Sequence, residues 1–119
     1  MTPAWTWPQS TIVRVIDGDS LVAQLTRDIG FHGSVTFLQR LRLNRINTPP
    51  LSSALGKQAA DYVASFAAGL FTITTVKPYK YGDEWMAEVV NVDGVNLSDA
   101  LVAAGLAVAW DGNGPRPGG

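Results

Sequence analysis

Residues 42–50 are the segment that most constrains how this chain can fold, because they leave an alternating strand pattern and end in two prolines. Pro49 disfavours helical backbone at Thr48, so the chain turns a fixed, extended corner there. Such a corner aims several oxygen atoms at one point. The preceding tight turn adds the carboxylate of Asp19, and Arg42 adds a planar cation suited to a phosphate. We therefore interpret the corner and the turn together as a candidate functional site.

The composition indicates one globular domain. A chain of 119 residues with 46% hydrophobic residues can bury its own core without disulfides. There is no cysteine, which excludes a disulfide framework and thiolate metal sites and leaves the redox compartment open. A net charge of -1 argues against broad, charge-driven coating of nucleic acid, although a local basic patch is compatible with it.

The sequence shows no apolar run of membrane-spanning length, and its first ten residues lack both a basic start and an apolar core. We therefore expect a cytoplasmic protein that is neither secreted nor held in a membrane.

The hydrophobic pattern predicts five strands and two to three short helices. Alternation marks residues 11–16, 20–26 and 34–44 as strands, and the later strands are expected at 70–77 and 84–92. Helices are expected between these groups and after the last strand: Ser52 or Ser53 can cap the first, and Asn96 or Ser98 the second. This order predicts a mainly β (α+β) fold, a five-stranded Greek-key barrel of the OB type.

Three segments follow from this organisation. Residues 1–10 form a segment rich in tryptophan and proline, residues 11–110 the barrel domain, and residues 111–119 a tail rich in glycine and proline. Trp5 and Trp7 in the first segment either dock on the domain or face a partner. The tail has too few apolar residues to bury itself.

Several motifs, spread over roughly residues 10 to 110, resemble those of the staphylococcal nuclease family. The first is Val-Ile-Asp-Gly-Asp-Ser at 15–20, and the second is the corner at 42–50. The third is Val-Asn-Leu at 95–97, followed by Ala-Leu-Val at 100–102 and Gly-Leu-Ala at 105–107. The resemblance implies the same OB-type barrel.

The resemblance also implies a calcium-dependent phosphodiesterase site, from which this chain departs. The implied calcium ligands are Asp19, the side chain of Asn47, where the family has aspartate, and the carbonyl of Thr48. Arg42 corresponds to an arginine that clamps the phosphate. A neutral Asn47 weakens calcium binding, because affinity depends on ligand charge.

Two further departures concern catalysis itself. Pro50 replaces the glutamate that activates water, and Asp83 follows Tyr-Gly where a second arginine is expected. A lost general base costs on the order of 10²–10⁴ in rate, and an arginine at phosphoryl-transfer charge is worth roughly 10³–10⁵. These losses need not multiply, but either alone predicts impaired hydrolysis. Glu84 or Glu88 could supply a replacement carboxylate from the fifth strand, or both could lie on a solvated edge of the barrel.

The retained residues indicate a nucleotide-sized binding patch. Lys80 and Tyr81 resemble the family's contact with a terminal phosphate, and Trp110 lies near aromatic residues that stack on a base. Stacking of this kind is worth roughly 1–3 kcal/mol per base. Arg40, Arg42 and Arg45 would complete the patch. We therefore expect an impaired nuclease-like module that binds single-stranded nucleic acid or a nucleotide.

Two alternatives stay open. The first is a structural module that contacts a protein partner or a second copy of itself through Trp5, Trp7 and the C-terminal tail. The second is an active metal-dependent nuclease with relocated catalytic groups. The Arg-Asp-Ile-Gly-Phe segment at 27–31 also resembles compact nuclease-like proteins encoded by bacteriophages, which would place the protein in a host cytoplasm or a virion.

Overall fold

A computed structural model describes residues 5–79 and 83–110 of the chain. Its main feature is a closed barrel of five strands. The barrel strands are β1 Trp5–Asp17, β2 Ser20–Gly30, β3 Gly33–Leu43, β5 Phe71–Pro78 and β6 Trp85–Asn91. The prediction of a mainly β fold with a five-stranded barrel and short helices is confirmed.

The barrel closes through one parallel contact. β1, β2 and β3 form a continuous antiparallel meander, and β5 pairs with both β1 and β6. β3 and β6 run parallel, with Leu41 opposite Trp85. This contact closes the sheet without an open edge. It also brings the end of β3, where Arg42 lies, beside the beginning of β6.

Two helices cover the barrel, α1 Ala54–Ser65 and α2 Leu97–Ala103. Ser53 caps α1 by accepting a hydrogen bond from the Gly56 N–H, and Asn96 caps α2 in the same way from Asp99. α1 packs against the barrel through Ala59 and Val63, which are fully buried in the common core. Among the described residues, no helix is long and apolar enough to cross a membrane.

The structure differs from the sequence-based expectation at two places. β1 begins at Trp5 and so includes residues expected to precede the barrel; Trp5 lies opposite Thr75, and a register shift between Trp7 and Ser10 accommodates Pro8. In addition, β4 Ile46–Asn47 pairs with β7 Val108–Ala109 in a separate two-stranded sheet. Two-residue strands have no hydrophobic period, so the pattern could not indicate them. The predicted C-terminal tail, residues 111–119, lies outside the described residues.

Candidate functional site

The site is built around a buried ion pair between Asp19 and Arg42. Arg42 Nη1 lies 2.8 Å from Asp19 Oδ2, and the Arg42 residue is only 3% exposed. Their proximity follows from strand register: Ser20, next to Asp19, lies opposite Arg42 in the β2–β3 pairing. The Leu43 N–H also donates to the carbonyl of Asp19 at 2.8 Å. The turn and the end of β3 therefore form one rigid unit.

The proline corner is attached directly to this ion pair. The backbone N–H of Thr48 donates to Asp19 Oδ2 at 3.0 Å. Arg42 Nη2 donates to Asn47 Oδ1 at 2.9 Å and to the carbonyl of Ile46 at 3.2 Å. The structure thus brings together Asp19, Arg42, Asn47 and Thr48, which the sequence analysis grouped as one site. In this arrangement the Nη atoms of Arg42 are engaged by protein oxygens.

Aromatic rings enclose the guanidinium of Arg42. Its central carbon lies 4.8 Å from the ring centroid of Tyr79 and 5.2 Å from that of Trp110, distances typical of cation–π contacts. Among the described residues, Arg42 Nε has no hydrogen-bond partner. Trp110, expected to stack on a base, is buried, and its backbone N–H donates to the Arg45 carbonyl. Its ring therefore covers Arg42 in this structure.

A polar cavity of about 240 Å³ lies beside the ion pair. It is lined by Ile16, Asp17, Asp19, Ser20, Arg40, Arg42, Tyr79 and Glu84. Arg40 is exposed at this cavity, in contrast to the buried Arg42. The hydroxyl of Ser20 donates a hydrogen bond to Glu84 Oε2. Glu84 is therefore the carboxylate that the beginning of β6 brings to the site.

Glu88, within β6, lies in a different network from Glu84, which directly precedes that strand. Its carboxylate accepts hydrogen bonds from Arg45, at 2.7 and 3.0 Å, from Asn44 and from Asn96. Arg45 also contacts Asp99, at 3.0 Å. Arg45 therefore does not join Arg40 and Arg42 at the cavity, and Glu88 links β6 to the beginning of α2 instead of supplying the site.

Burial, together with a side-chain hydrogen bond to the neighbouring Asp19 and the negative charge of that residue, raises the pKa of Asp17 to about 6. The charge of Glu84 adds a smaller contribution. Asp17 is therefore a carboxyl group that changes charge near neutral pH at the edge of the cavity.

The donor set around the corner fits calcium poorly. A second cavity of about 180 Å³ is lined by Asp17, Asp19, Asn47, Thr48, Pro49, Pro50 and Leu51. Calcium takes six to eight oxygen ligands, with carboxylates setting the affinity. Here the Asp19 carboxylate already faces Arg42 and Thr48, and Asn47 Oδ1 accepts from Arg42. Within residues 5–79 and 83–110, no three His, Cys, Asp or Glu side chains converge as a metal site.

Some of the predicted site residues are not described. Lys80 and Tyr81, the predicted phosphate contacts, lie outside the described residues, and so does the glycine that follows them. The sequence analysis missed Tyr79 as a cover for Arg42. The only available signal was its position directly before the Lys-Tyr-Gly motif, and an aromatic residue at a strand end is also common in ordinary cores.

The site and the barrel define a small OB-type protein with a polar cavity beside a buried ion pair. No family model matches the chain. Over 114 residues the chain is 27% identical to a protein described as an uncharacterized endonuclease in Escherichia coli O157:H7. A second protein with the same description, from Escherichia coli, matches at the same identity. Each alignment covers 90% of this chain and 68% of the relative. The similarity and the barrel together fit a nuclease-like fold of the OB type.

Proposed function

We propose that this protein is a staphylococcal nuclease-like module that binds single-stranded nucleic acid or a nucleotide at the 240 Å³ cavity and hydrolyses phosphodiesters poorly. The observation that carries the proposal is the pair of arginines on one face of β3. Arg40 is exposed at the cavity, and Arg42 lies behind it in contact with Asp19. The description of both relatives as endonucleases supports nucleic acid as the ligand class.

The contacts that Arg42 makes with other protein groups support impaired hydrolysis. Its Nη atoms contact Asp19, Asn47 and the Ile46 carbonyl, so a phosphate would compete with these oxygens. Arg42 would act as a phosphate clamp in catalysis only if the substrate displaced them. Pro50 at the corner has no group that accepts a proton. A well-placed general base is worth on the order of 10²–10⁴ in rate, so its loss alone leaves a slow enzyme.

Calcium binding at Asp19, Asn47 and Thr48 is part of the proposal only as a weak interaction. Asn47 provides a neutral oxygen, and the charge of Asp19 is balanced by Arg42. Asn47→Asp adds a carboxylate and is expected to strengthen calcium binding on the order of tenfold, because ligand charge tunes affinity. Calorimetric titration of both proteins with calcium would test this; equal affinities would contradict the assignment of Asn47 to a cation site.

Binding is tested with a fluorescent single-stranded oligonucleotide read by anisotropy. Arg40→Ala removes the exposed cation and is expected to weaken binding about tenfold or more, the usual cost of a lost hydrogen bond to a charged group. Lys57→Ala, which removes an equal charge from the exposed surface of α1, serves as the matched control. If both variants bind as the parent does, the cavity is not the binding site.

One observation favours an active enzyme as a second candidate function. Glu84 lines the cavity with Asp19 and Arg40, where a carboxylate could replace the missing general base. Cleavage of the same oligonucleotide with calcium, magnesium or manganese tests this candidate. Activity that is lost in Glu84→Gln, with binding retained, would establish the nuclease; binding without cleavage supports the impaired module.

The assembly alternative is favoured by Trp5, which is 50% exposed, whereas Trp7 is buried in the core. A protein partner or a second copy could cover Trp5 together with the tail. Sedimentation velocity of the parent and Trp5→Ala distinguishes this candidate, because a defined assembly that does not bind oligonucleotide would replace the nucleic-acid proposal.

A further inference from the structure

A cavity of about 310 Å³ opens at one end of the barrel, away from the ion pair. We call it the aromatic mouth, and its walls are Trp5, Trp7, Phe37, Gln39, Thr75 and Trp85, with Leu25 also lining it. These residues come from all five barrel strands. A concave, mainly apolar cavity of this size with a few polar groups is typical of a small-ligand site.

The rings of the mouth are arranged to receive a flat group. Trp7 is fixed: it is 8% exposed, and its Nε1–H donates to Thr75 Oγ1 at 3.1 Å. The Trp5 ring stacks on it at a centroid distance of 6.1 Å and an angle of 23°, and Phe37 meets it edge-on at 5.2 Å. Trp5 and Phe37 keep substantial exposure. The accessible rings of Trp5 and Phe37 therefore lie beside the buried, fixed ring of Trp7.

Polar groups at the mouth match the other parts of a nucleotide. The guanidinium of Arg27 lies 4.8 Å from the Trp5 centroid and 5.7 Å from that of Trp7. Arg27 forms no salt bridge with any residue in the described ranges, so its charge is available to an anion. Gln39 Nε2 donates to the carbonyls of Arg40 and Asp83, while its Oε1 accepts no hydrogen bond from a described residue. An exocyclic amino group of a base could donate to this oxygen.

Residues that line the mouth are also adjacent in sequence to residues that line the polar cavity. Gln39 precedes Arg40 on β3, and Trp85 follows Glu84 at the beginning of β6; one member of each pair lines each cavity. Because successive residues of a strand point to opposite faces, the two cavities open on opposite faces of β3, and a single-stranded nucleic acid would reach both by passing over the end of the barrel. A hydrocarbon ligand would need neither the cation nor the amide, so the arrangement favours a base attached to an anionic backbone.

We propose that the aromatic mouth binds one unpaired nucleobase, stacked on Trp5 and Phe37, with Arg27 holding its phosphate. This inference rests on the proposed function, because it takes the ligand to be the same single strand that Arg40 meets. It adds a second contact, at the barrel end, that holds the nucleic acid by stacking, with Gln39 Oε1 placed to accept from a base that carries an exocyclic amino group.

The experiment compares a short fluorescent single-stranded oligonucleotide with copies that carry one abasic position, moved along the strand. Trp5→Ala is expected to weaken binding of the intact strand by about 5- to 150-fold, the equivalent of one lost stacking contact. Trp5→Phe should retain most of the affinity. Phe31→Ala, which removes a fully exposed aromatic residue at the β2–β3 turn, is the matched control and should bind normally. Phe37→Ala provides a second variant of the mouth, and thermal unfolding shows that each variant is folded.

The inference is supported if one abasic position weakens parent binding by the same factor as Trp5→Ala, and if the two changes together cost no more than either alone. It is overturned, with the proposed function intact, if binding depends on Arg40 but is unaffected by Trp5→Ala, Phe37→Ala and every abasic position. If the parent binds no oligonucleotide, the proposed function fails and this inference fails with it. A parent dimer that Trp5→Ala dissociates would also overturn it, since a second copy would then cover the mouth.

Discussion

At the scale of single residues, the buried ion pair between Asp19 and Arg42 decides whether the site keeps its shape. Asp19→Ala leaves the charge of Arg42 buried, and its remaining hydrogen bonds to described residues are to the neutral oxygens of Ile46 and Asn47. Removing one partner of a buried pair costs about 3–5 kcal/mol. We expect a loss of this size in the free energy of unfolding, measured with urea.

The control for this loss is Asp93→Ala, which removes an exposed carboxylate from the turn after β6. Such surface changes usually stay within about 0.5 kcal/mol. A loss below about 1 kcal/mol for Asp19→Ala would mean that water reaches the pair. The result also matters for function, because a cleavage assay on Asp19→Ala is informative only if the variant remains folded.

Asp17 predicts a pH dependence at the same site. Burial and the neighbouring Asp19 raise its pKa to about 6 from an ordinary value of 3.8, so the folded protein holds this proton where the unfolded chain releases it. Its contribution to stability is therefore present below about pH 4 and is lost as pH rises through about 6. Asp17→Asn should flatten the change in unfolding free energy between these limits. If the parent and the variant show the same pH profile, the carboxyl is better solvated than its surroundings suggest.

At the scale of secondary-structure elements, Gly56 sets the distance between α1 and the proline corner. A Cβ atom at Gly56 would lie 1.9 Å from the carbonyl oxygen of Pro50, which is backbone and cannot rotate away. Alanine is the better helix former by about 1 kcal/mol, but overpacking of this kind costs about 1–3 kcal/mol or more. We expect Gly56→Ala to destabilise the protein in urea unfolding.

The same substitution should also weaken oligonucleotide binding. Asn47 and Thr48, which contact Arg42 and Asp19, lie directly before the displaced prolines. Gly33→Ala is the comparison: a Cβ there meets its nearest atom at 3.5 Å, an ordinary contact. If Gly56→Ala is as stable as the parent, α1 can shift on the barrel without moving the corner, and the two elements are less tightly joined than their packing indicates.

The elements also show what the sequence could and could not predict. Residues 34–44 alternate clearly, so β3 and the common face of Arg40 and Arg42 were predictable. Pairing register was not: nothing in the residues of β2 and β3 alone places Ser20 opposite Arg42, and therefore the burial of the ion pair stayed hidden. For the same reason the pattern could not separate Glu84, which reaches the cavity, from Glu88, which binds Arg45. Family motifs indicate which residues belong together, but only the fold shows which charges are already neutralised.

At the scale of the whole molecule, the barrel carries two candidate contact sites for a single-stranded nucleic acid, but few positive charges to attract that nucleic acid. The polar cavity and the aromatic mouth are both lined by residues near the β3–β6 contact, on opposite faces of β3, so a single-stranded nucleic acid that fills both must pass over the end of the barrel. The net charge of -1 provides no general attraction for a polyanion. Stacking and a small number of local cations must therefore supply the affinity.

This division of the binding energy predicts a weak dependence on salt. For single strands, the logarithm of the binding constant falls with the logarithm of salt concentration with a slope of about -0.7 per phosphate neutralised. Arg40 and Arg27 are the cations that the described structure leaves available to phosphates at the two cavities, while Arg42 is paired with Asp19. Two or three such contacts give a slope of about -1.5 to -2. Anisotropy titrations between about 50 and 200 mM salt measure this slope. A slope steeper than about -4 would require a broad basic surface, whereas a shallow slope together with sensitivity to Trp5→Ala would place most of the affinity in the aromatic mouth.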